Sequence, residues 1–128
     1  MSDQSGRTAW TQAFRLEDVR ATGEKVVLAV YGELDLHVAP ELRDRLDIAL
    51  DEGARVIVLD LSRVTFIDSM ALGVLLGAVN RLRRRGGNLR LVVPNPELRR
   101  IFEISLLDQI FTLDWSREEA SEPLRQTG

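Results

Sequence analysis

The sequence predicts an α/β fold, a single domain in which amphipathic helices pack on a mixed β-sheet. Valine- and leucine-rich segments of strand length alternate along the chain with segments of helical periodicity, which is typical of layered α/β proteins. An early turn that contains Gly23 joins two strand segments directly, so one strand pair is antiparallel and the sheet is mixed. The length of 128 residues suits one domain.

The first half of the chain predicts a hairpin, a helix and a second buried strand. In chain order the segments are a flexible N-terminal arm over 1–12, an edge strand over 13–19, a turn over 20–25, and then a strand over 26–34, a helix over 39–50 and a strand over 55–61. Residues 26–34 are nearly all apolar, which indicates a strand covered on both faces. Pro40 suits the first turn of the helix, and Gly53 ends it.

The second half predicts two further helices, each followed by a strand. These segments are a strand-like run over 64–67, a helix from 70 to about 85, a strand over 88–93, a helix over 95–106, a strand over 110–114 and a loose C-terminal tail over 116–128. Gly86 and Gly87 stop the first of these helices, and Asn95 caps the second. The domain itself is therefore expected to span residues 13–115.

The helix after Asp68-Ser69 has an unusual exposed face. Helical periodicity places five apolar residues toward the sheet: Leu72, Leu75, Leu76, Val79 and Leu82. The opposite face carries Met70 and Val74 in its first turns, where a solvated helix would be charged. Gly73 and Gly77 each cost helix stability, about 0.5–1 kcal/mol. Two glycines so close together indicate close approach by another surface, either the sheet or a partner protein.

Ser69 stands at the start of this helix, and two roles suit it. As the N-cap, its hydroxyl oxygen would accept a hydrogen bond from a free amide of the first turn. As a modification site, it would place a phosphate at the positive end of the helix dipole, where the fold tolerates negative charge. Both roles remain open from the residues alone.

Composition excludes several functional classes. The net charge of −3 gives no reason to expect nucleic acid as a partner, and no apolar run is long enough to cross a membrane. Cysteine is absent, and His37 is the single histidine, so a thiolate site, a histidine-pair metal site and a two-histidine catalytic arrangement are not available. The N-terminus lacks the apolar segment of a secretory signal. We therefore expect a cytoplasmic protein with no catalytic residues, no metal and no cofactor.

Two strings carry a resemblance to a known family. "GELDLHVAPELRDRL" followed by "VIVLDLSRVTFIDSMALGVLL" resembles the bacterial anti-sigma factor antagonists, whose fold is the STAS domain, and "LLDQIFTLD" is similar to their closing segment. The resemblance implies that Ser69 is phosphorylated by a partner that is both anti-sigma factor and serine kinase. The unphosphorylated form would bind this partner and free a sigma factor, and a PP2C-type phosphatase would reset the switch.

The resemblance also implies a partner-binding surface around Ser69. It places Asp35 of the "GELD" loop near the phosphorylation site, and we expect His37, Asp68, Met70 and Val74 to join it. Val38 stands where many relatives have a Ser or Thr cap, and Met70 replaces a small residue. The alternative is a STAS adaptor or accessory subunit of a transporter or sensory scaffold, in which Ser69 is only a helix cap.

Overall fold

A computed structural model describes residues 13–121. The predicted arm over 1–12 and the last part of the predicted tail, 122–128, lie outside these described residues. The strands are β1 (Arg15–Thr22), β2 (Lys25–Leu34), β3 (Val56–Ile67), β4 (Asn88–Val92) and β5 (Thr112–Asp114). The helices are α1 (Ala39–Asp51), α2 (Ser69–Arg84), α3 (Pro96–Ile104) and α4 (Arg117–Ser121), with a 3-10 turn at Leu107–Gln109.

The sheet is mixed, as the sequence predicts. Its strand order is β1-β2-β3-β4-β5, with β1 antiparallel to β2 and the other neighbours parallel. Gly23 occupies the first position of the β1–β2 turn with φ of +59°, a conformation that glycine adopts without a steric cost. The predicted α/β fold class is confirmed.

Three helices cover one face of the sheet and enclose the main core. The stripe predicted for α1 is buried, including Leu42 and Leu46, and Leu98 and Phe102 of α3 are buried in the same core. Asn95 caps α3 by accepting a hydrogen bond from the Glu97 amide at 2.9 Å. After α2 the backbone passes close to Arg55 at Gly87, where only glycine fits, because a Cβ there would lie 1.9 Å from the Arg55 carbonyl oxygen.

Strand β3 is longer than either of the two strand-like segments predicted within it. Its ladder with β4 covers only Val56–Asp60, whereas its ladder with β2 continues to Ile67. The last part of β3 therefore has a neighbouring strand on one side only. This geometry leaves Phe66 half-exposed and carries the chain to the start of α2.

The second face of the sheet is covered in part by α4. Ala120 is buried against Val27, Val58 and Val92. The Arg117 guanidinium donates to the Asp60 carboxylate at 2.5 Å. Residues 117–121, which the sequence analysis assigned to a loose tail, thus form a short helix packed on the sheet in the structure.

The buried carboxylate of Asp60 should make stability depend on acid pH. Burial alone would raise its pKa above the ordinary value of 3.8, but hydrogen bonds from Ser62 and Arg117 outweigh burial and hold the pKa below that value. Because the folded-state pKa is the lower one, this stabilisation is present above pH 3.8 and is lost as pH falls through the folded-state pKa. We expect Asp60→Asn to lower the melting temperature at pH 7 relative to the native chain, and we expect this gap in melting temperature to be smaller near pH 3. Circular dichroism measures both. An equal gap at both pH values would contradict this account.

None of the helices within residues 13–121 has the length and apolar character needed to cross a membrane.

Candidate partner-binding site

The candidate site lies at the carboxyl ends of β2 and β3. Leu34 pairs with Ile67 in the parallel ladder, and the Asp68 amide donates to the Leu34 carbonyl at 3.0 Å. The loop over 35–38 follows β2, and α2 follows β3, so both begin at the same edge of the sheet. The structure thereby brings the Asp35 loop and the Asp68-Ser69 junction together, as the resemblance implied.

Asp68, and not Ser69, is the N-cap of α2. Its backbone is extended, with φ of −109° and ψ of 179°, and its carboxylate accepts a hydrogen bond from the Ala71 amide at 3.0 Å. Ser69 is the first helical residue, and it is exposed. Of the two roles that the sequence analysis left open for Ser69, the structure therefore contradicts that of N-cap. Asp and Ser cap helices about equally well, so the sequence alone does not distinguish which of two adjacent residues is the cap. Within residues 13–121 no group hydrogen-bonds to the Ser69 hydroxyl.

This division of roles predicts different costs for two alanine substitutions. Asp68→Ala removes the cap and should lower the free energy of unfolding by about 1 kcal/mol. Ser69→Ala removes a hydroxyl without a protein partner and should stay within about 0.5 kcal/mol of the native chain. Urea denaturation of the two variants and the native chain measures both costs. A larger loss for Ser69→Ala than for Asp68→Ala would show that the serine carries the cap.

Asp35 organises the loop that faces the helix start. Its carboxylate accepts hydrogen bonds from the His37 and Val38 amides at 2.9 and 3.3 Å, and its carbonyl accepts from the Ala39 amide at 3.0 Å. Val38 supplies no side-chain cap to α1. Asp35 therefore fixes the loop up to the first residue of α1, but it does not replace a Ser or Thr cap at position 38, which would accept from the Glu41 amide. The His37 side chain is 81% exposed, with Nδ1 3.7 Å from the Asp35 carboxylate.

Val74 is buried, which corrects the prediction that it lies on the exposed face. Only 7% of the residue is accessible, and α1 packs against this side of α2. On a helical wheel Val74 stands about 100° from the fully buried Leu75, at the margin of the face toward the sheet. The sequence analysis assumed that only the sheet covers α2. Because α1 covers the margin too, Val74 is a core residue.

Around Ser69, the exposed face of α2 carries apolar or small residues. Met70 is 55% exposed, and Gly73 and Gly77 follow on the same side. A Cβ built on either glycine meets no atom within 4 Å, so neither glycine is needed for contact with the sheet. Beside them an open groove of about 330 Å³ runs between α1 and α2. Leu36 and Phe66, which the sequence analysis did not single out, are 55% and 47% exposed near the same edge.

The described part of this surface has no metal-binding cluster. Among residues 13–121 no three His, Asp or Glu side chains converge in a way that could hold a metal ion. What the surface offers is a free hydroxyl, the carboxylates of Asp35 and Asp68, and exposed apolar side chains. Such a surface can bind a protein and can accept a modifying group at Ser69.

A family model for the STAS domain matches residues 17–120. The chain belongs to the STAS domain family. Its similarity to bacterial anti-sigma factor antagonists runs over most of both chains. It is 33% identical over 113 residues to the anti-sigma F factor antagonist of Lysinibacillus sphaericus, covering 88% of this STAS chain and 94% of that relative. It is 31% identical over 101 residues to the anti-sigma-B factor antagonist of Bacillus subtilis, covering 79% and 92%.

Solved structures show the same fold. The anti-sigma factor antagonist SpoIIAA in its unphosphorylated form superposes on the STAS chain with a TM-score of 0.69 at 31% identity, covering 83% of this chain and 91% of that one. The phosphorylated form of the Bacillus cell fate determinant SpoIIAA gives a TM-score of 0.63 at 31% identity, covering 83% and 95%. The predicted STAS fold and the resemblance to anti-sigma factor antagonists are confirmed.

Proposed function

We propose that this STAS protein is an anti-sigma factor antagonist whose partner binding is switched by phosphorylation of Ser69. The observation that carries the proposal is the state of the Ser69 hydroxyl, which is exposed and has no hydrogen bond from residues 13–121 because Asp68 caps the helix. A kinase can modify this hydroxyl without taking a cap from α2. The similarity to anti-sigma factor antagonists supports the assignment.

A phosphate on Ser69 would change the surface and keep the fold. It would bring a charge of about −1.5 to −2 to the first residue of a helix, where the dipole favours negative charge. The same phosphate would stand beside the carboxylates of Asp68 and Asp35. A partner that binds the unmodified surface would then face a doubly charged group at its centre, and the complex would dissociate.

The partner surface consists of the exposed residues around Ser69. A protein that reaches this serine must also cover Met70 and the small face at Gly73 and Gly77, where the open groove allows close approach. We assign Asp35, His37, Asp68 and Met70 to the contact, and Leu36 and Phe66 join them as exposed apolar residues. Val74 is excluded, because its side chain is buried.

The partner in this proposal is an anti-sigma factor that is also a serine kinase. It supplies the ATP site, and a PP2C-type phosphatase removes the phosphate. The STAS chain itself catalyses no reaction, needs no cofactor and contacts neither nucleic acid nor membrane. It acts in the cytoplasm by controlling how much of the kinase is available to a sigma factor.

Intact-mass analysis tests the proposal directly. We expect the chain, incubated with ATP and candidate anti-sigma factor kinases, to gain the mass of one phosphate that peptide mapping places on Ser69. Ser69→Ala should stay unmodified, although it should still bind the kinase. A chain that binds such a kinase and is never modified at Ser69 would instead be a non-switching STAS adaptor.

A further inference from the structure

Two arginines line the groove between α1 and α2, and only one of them has a partner within residues 13–121. The Arg81 guanidinium donates to the Asp47 carboxylate at 2.5 Å and lies 3.7 Å from the Asp51 carboxylate. Arg43 is exposed, and within the same described residues its side chain has no ion pair or hydrogen bond. The Arg43 guanidinium is therefore available to an anion at the groove.

Arg43 and Gly73 lie at about the same height above the sheet edge that carries the candidate site. Strands β2 and β3 are parallel, so the helices that follow them start at the same edge and run side by side in one direction. Arg43 is the fifth residue of α1, and Gly73 is the fifth residue of α2. Both residues line the groove. The Arg43 side chain therefore starts across the groove from Gly73.

Ser69 stands one helical turn before Gly73 on the exposed face of α2. Residues four apart share a helix face, and the rise between them is about 6 Å along the axis. A Cβ built on Gly73 meets no atom within 4 Å, so the space over this glycine is open. A guanidinium that extends from Arg43 over Gly73 approaches a phosphate on Ser69, because the phosphate projects beyond the serine hydroxyl.

The charged groups of the 35–38 loop and of the α2 start provide no strong cation for such a phosphate. The Asp35 and Asp68 carboxylates are negative, and both already accept hydrogen bonds from backbone amides. His37 has its Nδ1 3.7 Å from the Asp35 carboxylate and is charged only when it is protonated. An arginine keeps its charge at every physiological pH, and its planar guanidinium matches two phosphate oxygens. Arg43 is thus the better phosphate partner.

We propose that Arg43 binds the phosphate of phosphorylated Ser69 and closes the small face of α2. This inference rests on the proposed function, because it concerns the phosphorylated form. In the unmodified chain Arg43 leaves Gly73 uncovered, and a partner can approach closely. After phosphorylation the Arg43 side chain lies over Gly73 to reach the phosphate. Phosphorylation then opposes partner binding in two ways, by its negative charge and by a side chain over the face that the partner must cover.

Phosphorus NMR titration of chains synthesised with phosphate already on Ser69 tests the contact without any kinase. A nearby guanidinium favours the doubly charged phosphate, so Arg43→Gln should raise the titration midpoint by about 0.5 pH unit. The matched control is Arg84→Gln, which changes an exposed arginine about 22 Å further along α2 and should leave the midpoint unchanged. Equal midpoints for the native chain and Arg43→Gln would overturn the contact and would leave the phosphorylation switch itself intact.

Affinity for the anti-sigma factor tests whether the contact closes the face. Titration calorimetry compares the unmodified and phosphorylated forms of each chain, so any direct contact of Arg43 with the partner cancels. The loss of affinity on phosphorylation should be about threefold smaller in Arg43→Gln than in the native chain. An equal loss in both chains would overturn the closing of Gly73. A native chain that loses no affinity would contradict the proposed function, and the NMR midpoints would still decide the Arg43 contact.

Discussion

A glutamate at position 74 is expected to destabilise the fold strongly, and any loss of partner binding should follow from that destabilisation. Val74 is buried between α1 and α2, so its replacement would place a carboxylate among apolar side chains. The loss in the free energy of unfolding should be about 3 kcal/mol or more, because burial removes the carboxylate from water. Urea denaturation followed by circular dichroism measures this loss.

Met70→Glu is the matched control for that variant. Met70 lies on the same helix, one turn before Val74, and is 55% exposed. A carboxylate there remains in water and near the positive end of the helix dipole, so stability should change by no more than about 0.5 kcal/mol. A Val74→Glu variant as stable as Met70→Glu would show that α1 does not cover this side of α2.

A bulky side chain at Gly73 should have the opposite effect to Val74→Glu: the chain should stay folded, and partner binding should be lost. Because a Cβ at Gly73 meets no atom within 4 Å, Gly73→Gln fits the monomer. It should stabilise the helix by about 0.5–1 kcal/mol, since glutamine is the better helix former. At the partner surface the same side chain would hold the two proteins apart, and affinity for the anti-sigma factor should fall at least tenfold, or about 1.4 kcal/mol.

Asn80→Gln provides the control for Gly73→Gln. It introduces the same side chain on the same exposed face, about two turns further along α2. Affinity measured by titration calorimetry should match that of the native chain. Equal affinities for Gly73→Gln and the native chain would remove the small face of α2 from the proposed contact.

The fold was largely predictable because its elements have strong local signals. The valine-rich runs gave the central strands, the Gly23 turn gave the antiparallel edge, and Asn95 with Pro96 gave the start of α3. The junction at Asp68-Ser69 was also located correctly to within one residue. Its cap was misassigned because two adjacent residues have the same capping ability, and only the backbone geometry distinguishes them.

What the sequence could not give was the contact between elements far apart in the chain. Periodicity defines the arc of a helix that is apolar, but it does not reveal that α1 packs beside α2 and extends the buried arc to Val74. The packing of α4 on the sheet could not be predicted for the same reason, because it depends on Arg117 binding Asp60, which lies 57 positions earlier in the chain. The exposure of Phe66 depends on where β4 ends, and no local pattern near Phe66 records that.

The most direct test of the phosphorylation switch is the affinity of the anti-sigma factor for two forms of one preparation, one unmodified and one carrying phosphate on Ser69. Titration calorimetry with this anti-sigma factor should give an affinity at least tenfold weaker for the phosphorylated form, a difference of about 1.4 kcal/mol in binding free energy. Circular dichroism should give the same melting profile for both, because a phosphate at a helix start is compatible with the fold. Phosphatase treatment should restore the original affinity. Equal affinities for two folded forms would contradict the account and would leave the chain as a STAS adaptor without a switch.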